Sequence, residues 1–302
     1  MKRYQNFFND DCIIAPHRNK RPFINKGDVT CPFCLINEVR LSRIIDESWQ
    51  ADELFVRIVP NLYPITSEYS AQGVHDVIID THHHMLHPKD FSEKHWEVLL
   101  RVMQKRWHQL MADTKINFIQ IFKNYGVKAG ASISHSHWQL VALEKVPYSL
   151  QKKLSIYHEA ELDDTCYLCD LIHIQEGTII FEDDLWEVWV PPIPQFTYEV
   201  WLIPKKHYQH YGQLELEEIK RLGKLIKYLL QTYHQLNPEY DFNICFMSGD
   251  LKSKYPYHFY VKVVIRIGQI AGFEISTGCS ILTVSPKTYS EQMKKILGKV
   301  YK

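Results

Sequence analysis

The chain has 302 residues, of which 45% are hydrophobic, and it balances 35 Lys and Arg against 35 Asp and Glu. That apolar share belongs to a folded protein and excludes a disordered or collagen-like chain. Charge neutrality excludes a global basic field for nucleic acid or anionic membrane, so any phosphate binding must be local. The first eleven residues have no continuous apolar core and no run of about 18 apolar residues occurs anywhere, so a soluble cytoplasmic protein is expected.

The length leaves room for two ordinary domains. Cys31 and Cys34 form a first Cys-x-x-Cys pair. Residues 77–80 read as a short buried strand. They lead to the run His82, His83, His84 and then to a helix over 92–111, with Trp96, Leu99, Leu100, Met103, Trp107 and Leu110 on one face. Ser92 and Glu93 are its start signals. Strands over 117–122 and 136–143 follow, joined by a Gly-containing loop. Residues 144–165 form a polar, partly helical bridge. The second half then runs through Cys166 and Cys169, a strand over 200–203, a helix over 214–236, strands over 242–246 and 259–265, and an amphipathic helix over 289–300.

The two halves are one pattern repeated. The segment from His75 to His84 lies over that from Tyr198 to His207 at an offset of 123, and the same offset carries His135 onto His258. From His84 to His135 and from His207 to His258 the spacing is 51 residues in both. The expected fold is therefore α+β, two tandem units related by internal duplication, with mainly antiparallel sheets and one long helix each. Residues 1–150 form the first unit and 151–302 the second.

Two Cys-x-x-Cys pairs, each followed by histidines at matching distances, point to metal rather than disulfides. Zinc takes four tetrahedral nitrogen or sulfur ligands. Cys31, Cys34, His84 and His135 fill one such shell; Cys166, Cys169, His207 and His258 fill another. Four protein ligands make a closed site, so two structural Zn2+ ions per chain are expected. His82, His83 and His87 are expected to be solvated.

In the segment from Asn124 to Gln139, His135, His137 and Gln139 alternate and so share one face of a strand. One imidazole can bind metal while the next stays available as nucleophile or base. Gly126 and Gly130 allow backbone N–H groups to approach an anion. At the offset of 123, Tyr260 lies over His137 and Lys262 over Gln139, so the second unit keeps a metal ligand and lacks a free imidazole beside it.

This segment resembles the active-site motif of the galactose-1-phosphate uridylyltransferases and of ADP-glucose phosphorylases, in the histidine-triad superfamily. The resemblance extends through Ile14 to Pro22, the Cys31-Pro-Phe-Cys34 knuckle, Val59 to Pro64, Gly73 to Asp80 and Gly272-Phe-Glu274. It implies two tandem histidine-triad-like units, the first catalytic and the second degenerate. It also implies a nucleotidyltransferase acting on a nucleoside diphosphate sugar or related nucleotide through a covalent nucleotidyl-histidine. The resemblance places the nucleophile on His137 and the phosphate-holding amide on Gln139. It places substrate contacts on Arg18, Arg21, Asn61, Asn124 and Ser132, and implies a phosphorylated acceptor and a homodimer. Two positions depart from the motif: Ser136 stands where proline is usual and Trp138 where a small residue is usual. Trp138 is expected on the strand face opposite His137. The alternatives are a nucleotide-sugar or dinucleoside-polyphosphate phosphorylase or hydrolase, and a catalytically inactive, zinc-stabilised nucleotide-binding regulatory protein.

Overall fold

The computed structural model describes residues 4–5, 11–21, 31–34, 43–50, 53–67, 71–161, 166–173, 178–253 and 257–301. Pro22 and residues 162–165, part of the segments read above, lie outside them. The strands are β1 (Tyr4–Gln5), β2 (Asp11–Cys12), β3 (Asp46–Gln50), β4 (Glu53–Pro60), β5 (Gly73–Ile79), β6 (Phe118–Tyr125), β7 (His137–Leu143), β8 (Thr178–Glu182), β9 (Trp186–Val190), β10 (Val200–Pro204), β11 (Phe242–Met247) and β12 (Tyr260–Ile265). The helices are α1 (Glu93–Met111), α2 (Tyr148–Glu161), α3 (Tyr167–His173), α4 (Leu216–Leu236), α5 (Gly272–Thr277) and α6 (Pro286–Val300).

Ten strands form one antiparallel sheet in the order β3-β4-β5-β7-β6-β11-β12-β10-β9-β8. Outward from the β6/β11 junction, the order β7, β5, β4, β3 on one side mirrors β12, β10, β9, β8 on the other. The duplication is thus visible as a mirrored strand order, and the sheets of the two repeats are continuous. At the junction Asn124 lies opposite Asn243 and Phe122 opposite Cys245. Each of these strands gains a ladder partner where it would otherwise leave an open edge.

α1 starts where its cap directs: Ser92 Oγ accepts the His95 N–H at 3.0 Å. It buries the six apolar residues expected of it. α4 starts two residues later than the periodicity implies, because a 3-10 turn over Tyr211–Gln213 precedes it and Glu215 is extended. α6 starts three residues earlier, since Ser285 caps it and Pro286 is tolerated in a first helical turn. The two long helices meet closely at Gly223, where a Cβ would come within 2.8 Å of Trp96 Cβ.

Both helices cover one face of the sheet. β7 sends Trp138, Leu140 and Ala142 into that core beside Trp96, Phe246 and Leu225. Val141 and Leu143 point to the other face, where Leu150 and Leu154 of α2 and Leu168 of α3 form a second cluster. Residues of β7 alternate between faces, so His137 and Gln139 share the second face with Val141. Trp138 is fully buried edge-on to Trp96 and Phe246. The bulky residue in the motif therefore serves the helix-side core and does not crowd the face that carries His137.

Candidate functional site

The Cys31 to Cys34 turn, the end of β5 and the start of β7 bring four donors together. Cys34 Sγ lies 3.2 Å from His84 Nδ1 and 3.5 Å from His135 Nδ1, and Cys31 Sγ lies 3.6 Å from His135 Nδ1. In the second repeat Cys169 Sγ lies 3.6 Å from His207 Nδ1 and 3.2 Å from His258 Nδ1. Within each group of four, all ligand atoms are within 4.8 Å of one another. Bond lengths around tetrahedral zinc put neighbouring ligand atoms about 3.5 Å apart, so the spacing matches a four-coordinate ion. The other ring nitrogens hold the imidazoles in place. His135 Nε2–H donates to Thr81 O at 2.7 Å and His258 Nε2–H to Pro204 O at 2.9 Å, leaving both Nδ1 lone pairs facing sulfur. Thr81 and Pro204 are themselves related by the offset of 123, so the support of the ligands is duplicated along with the ligands. Burial pushes the Cys31 thiol up to about 11. Both clusters can bind a metal ion.

His137 is buried beneath Phe33, their ring centroids 5.2 Å apart. Its Nδ1–H donates to His135 O at 2.8 Å. A carbonyl can only accept, so the proton is on Nδ1 and Nε2 carries a bare lone pair. Burial pushes the imidazole down to about 4, so it is neutral at physiological pH and ready to act as a nucleophile.

Beneath His137 lies an ion pair that sequence reasoning missed. Lys123 Nζ, fully buried, reaches Asp80 Oδ2 at 2.6 Å, Ser136 Oγ at 2.7 Å and His137 O at 3.1 Å. An ammonium has three donors, and all three are satisfied. Ser136 Oγ also donates to Asp80 Oδ2 at 3.1 Å. The hydroxyl that replaces the motif's proline therefore ties the strand to a buried charge pair. Lysine in the middle of an apolar strand was the available signal.

The other expected site residues fall into two groups. Arg18 donates to Tyr63 O, and His17 Nε2 donates to Pro64 O at 2.7 Å, so the turn over Pro16–Lys20 docks on the 61–65 loop. Arg21 closes that turn, its N–H on Arg18 O at 3.0 Å. Burial, then the neighbouring Arg21, lowers the Arg18 value. Asn61 Oδ1 accepts the Tyr63 N–H at 2.8 Å, and between this loop and Gln139 sits His75, another residue that motif reading passed over.

Asn124 and Ser132 belong to the second group, around the glycine loop. Asn124 Oδ1 accepts from Asn243 Nδ2 at 2.9 Å, and that amide also reaches Ala129 O at 3.0 Å. Ser132 lines a cleft of about 780 Å3 together with Tyr125, Gly126, Lys128 and Tyr240. Gly126 and Gly130 both have φ of +84°, and a Cβ on Gly126 would overlap the Asp241 carboxylate. Three N–H groups of this loop are already engaged: Lys128 with Asp241 at 2.6 Å, Gly130 with Val127 at 2.9 Å and Ala131 with Gly126 at 3.1 Å. The expected amide cradle is narrower by those three groups.

His83 is exposed and His82 half-buried, their rings 3.8 Å apart. His87 is not solvated as expected. It packs against Tyr125, Tyr240 and Phe242, and its Nδ1 accepts the Lys89 N–H at 3.0 Å. Burial lowers it to about 3. It caps the short turn that precedes α1, a tertiary role that the His-rich run concealed.

In the second repeat, Tyr260 is buried against Trp201. Lys262 pairs with the buried Glu199 at 3.0 Å and reaches Gln195 Oε1 at 3.1 Å. The positions that correspond to His137 and Gln139 are filled by an aromatic side chain and an ion pair.

A family model described as the N-terminal domain of a domain of unknown function (DUF4931) matches residues 14–146. ADP-glucose phosphorylase of Arabidopsis thaliana is 32% identical, covering 94% of this chain and 89% of that protein. Galactose-1-phosphate uridylyltransferase of Thermotoga maritima is 25% identical, with 97% of each chain covered. Among solved structures, ADP-glucose phosphorylase from Arabidopsis thaliana with bound ADP-glucose matches with a TM-score of 0.82 at 29% identity, covering 93% of each chain.

Proposed function

The chain belongs to the family of ADP-glucose phosphorylase and galactose-1-phosphate uridylyltransferase, and on that premise we propose that it is a nucleotidyltransferase of nucleoside diphosphate sugars working through a nucleotidyl-His137 intermediate. The observation that carries the reading is the state of His137: proton on Nδ1, held by a carbonyl, with Nε2 bare. In the first half-reaction His137 Nε2 attacks the α-phosphorus, the bond to the bridging oxygen breaks, and sugar 1-phosphate leaves. The His135 carbonyl stabilises the charge that develops on the imidazole. In the second half-reaction a phosphate oxygen of the acceptor attacks the same phosphorus and His137 departs neutral. Splitting one displacement into two lowers each barrier.

Arg18 and Arg21 are assigned to offset the charge on the phosphoryl oxygens, and Gln139 to donate hydrogen bonds to them. Asn61, Asn124 and Ser132 are assigned to the nucleotide and its phosphates. The two Cys2His2 groups hold zinc in a structural role, and the first of them positions His135 and with it the carbonyl behind His137. Similarity to ADP-glucose phosphorylase exceeds that to the uridylyltransferase, so the favoured donor is ADP-glucose with inorganic phosphate as acceptor. UDP-hexose with a hexose 1-phosphate is the second reading.

Residues 1–150 form the catalytic unit and 151–302 a silent one, in keeping with Tyr260 and Lys262 at the duplicated positions. Ile267, Ile270, Phe273, Ile275 and Ile281 are exposed around α5. An apolar patch of this kind fits a homodimer interface. No helix among the described residues is long and apolar enough to cross a membrane, and the cytoplasm is the proposed location.

The test is incubation with α-32P-labelled ADP-glucose and UDP-glucose, followed by peptide mapping. Acid-labile, base-stable label on His137, absent from His137→Ala, is expected. Label on another residue would move the nucleophile. Nucleotide binding without label for every donor would make the protein a binding module.

A further inference from the structure

We infer that His75 is a positioning residue that decides which end of the Gln139 amide is presented to the substrate, as a double N–H donor for anionic phosphoryl oxygens. The inference rests on the proposed reading of Gln139 as the phosphate-holding group.

In the β5/β7 ladder, Val77 lies opposite Gln139 and His75 opposite Val141. His75 and Gln139 are therefore diagonal neighbours on the sheet face that carries His137. His75 is only 4% exposed. Its Nδ1 lies 3.0 Å from the Ile65 N–H. A backbone N–H can only donate, so Nδ1 is bare and the ring proton is on Nε2. That Nε2 lies 3.0 Å from Gln139 Oε1, an acceptor. Asn61 Nδ2 stands 3.1 Å from the same nitrogen, but its Oδ1 is already taken by the Tyr63 N–H. Asn61 thus turns a donor toward the His75 Nε2–H, an unfavourable contact in itself, and cannot receive the proton. Gln139 Oε1 is the acceptor that remains. A reversed Gln139 would set a second NH2 against the His75 N–H beside that of Asn61 and take away its acceptor, which costs a buried hydrogen bond.

With the oxygen held, the Gln139 NH2 is the outward end, and it makes no hydrogen bond among the described residues. Two N–H groups match a phosphoryl oxygen, whereas the carbonyl end would repel it. Protonation of His75 would oppose the Ile65 N–H with a second donor. Burial, with the Arg18 and Arg21 charges, disfavours that state and pushes the imidazole down to about 4. The same residue fixes the 61–65 loop: its ring Nδ1 accepts the Ile65 N–H, and its backbone carbonyl accepts the Asn61 N–H at 2.9 Å. Through Tyr63 O that loop receives Arg18. One residue thus sets the amide through its Nε2–H and helps hold the loop on which the arginine docks through its Nδ1 and its carbonyl.

The second repeat supports the assignment. The offset of 123 puts Tyr198 over His75 and Lys262 over Gln139. Tyr198 O–H donates instead to Gln292 Oε1 at 3.1 Å, while Lys262 pairs with Glu199. Where the amide is gone, its orienting imidazole is gone too.

The test has one arm independent of turnover. Long-range 1H–15N correlation on 15N-labelled full-length protein, with His75→Gln to assign the ring, is expected to show His75 neutral with the proton on Nε2. A proton on Nδ1, or an imidazolium at neutral pH, would overturn the inference. In the second arm, steady-state kinetics with ADP-glucose and UDP-glucose are measured for His75→Leu, His75→Gln, Gln139→Ala and the double variant His75→Leu/Gln139→Ala. Misorienting one phosphoryl donor is expected to lower kcat about 10- to 100-fold with a smaller change in KM. His75→Gln, whose amide N–H can replace Nε2–H, is expected to recover most of kcat. The double variant is expected to be no worse than Gln139→Ala alone, because both changes remove one interaction. Multiplicative losses, or failure of His75→Gln to recover kcat while the protein stays folded, would reduce His75 to a structural residue. If the wild-type protein processes no nucleotide sugar, the proposed function fails, and the tautomer measurement still decides how His75 faces Gln139.

Discussion

Replacing Asp80 with asparagine tests the buried charge network under His137 most directly. Lys123 and Asp80 are both fully inaccessible to solvent, and Lys123 Nζ has three oxygen partners, of which only Asp80 carries charge. Asp80→Asn keeps the shape and removes the countercharge. Its new NH2 would sit where Asp80 Oδ1 now lies buried without a partner among the described residues, adding an unsatisfied donor. Removing one partner of a buried pair costs about 3–5 kcal/mol. The Trp138 ring, 5.4 Å from Nζ, offsets only a small part of this by cation–π attraction. Urea unfolding followed by tryptophan fluorescence reads the loss. The double variant Asp80→Asn/Lys123→Met is expected to recover at least about 2 kcal/mol, because the orphaned charge is what makes the single change costly. Burial already lowers the Lys123 value, and losing Asp80 lowers it further. The unfolded state then binds more protons between that lowered value and about 10.4, so stability of the variant rises with pH across that window. A loss below about 0.5 kcal/mol for Asp80→Asn, or a double variant as unstable as the two single changes combined, would refute the reasoning.

Cys31→Ser and Cys166→Ser are each expected to release one of two zinc ions and to lower thermal stability, measured by elemental analysis and calorimetry, since closed sites contribute folding free energy. Protein that holds no zinc above background after metal-replete expression would remove both sites. Tyr260→Phe is expected to retain most of its activity, and its inactivation with fold and zinc intact would place chemistry in the second unit. His75 and His137 are buried and His87 half-buried, all three neutral, with values pushed down to about 4, 4 and 3. Their folded values lie below the unfolded ones, so stability is full above about pH 6.5 and falls as pH drops toward 4, by at most about 1.4 kcal/mol per unit for each histidine. Acid unfolding midpoints of His87→Phe and the wild type check this: the variant is expected to resist acid better, and an unchanged midpoint would sink the argument.

Much of this molecule is written locally. Hydrophobic periodicity marks α1 and α4, because a helix that packs on a sheet must repeat apolar residues every three to four positions. The offset of 123 pairs His84 with His207 and His135 with His258, because duplicated ligands must keep their spacing to reach one ion. Alternation places His137 and Gln139 on one face and Trp138 on the other, since strand side chains have a period of two.

What the chain does not spell out is long-range and polar. Pairing of β6 with β11 makes one sheet of two repeats, yet edge pairing is a backbone property with no side-chain signature. Lys123 meets Asp80 and Ser136 only after three segments converge, and a lysine looks alike in sequence whether solvated or buried. His87 shares its histidine-rich neighbourhood with exposed His83, and only the packing of Tyr125, Tyr240 and Phe242 around it takes it half out of solvent. His75 was visible as the first residue of the repeat, but its tautomer, and hence its hold on Gln139, depends on an N–H from a loop ten residues away. Local pattern selects the elements, while burial and the pairing of polar groups across distant segments decide which of the many histidines, lysines and asparagines work at the site.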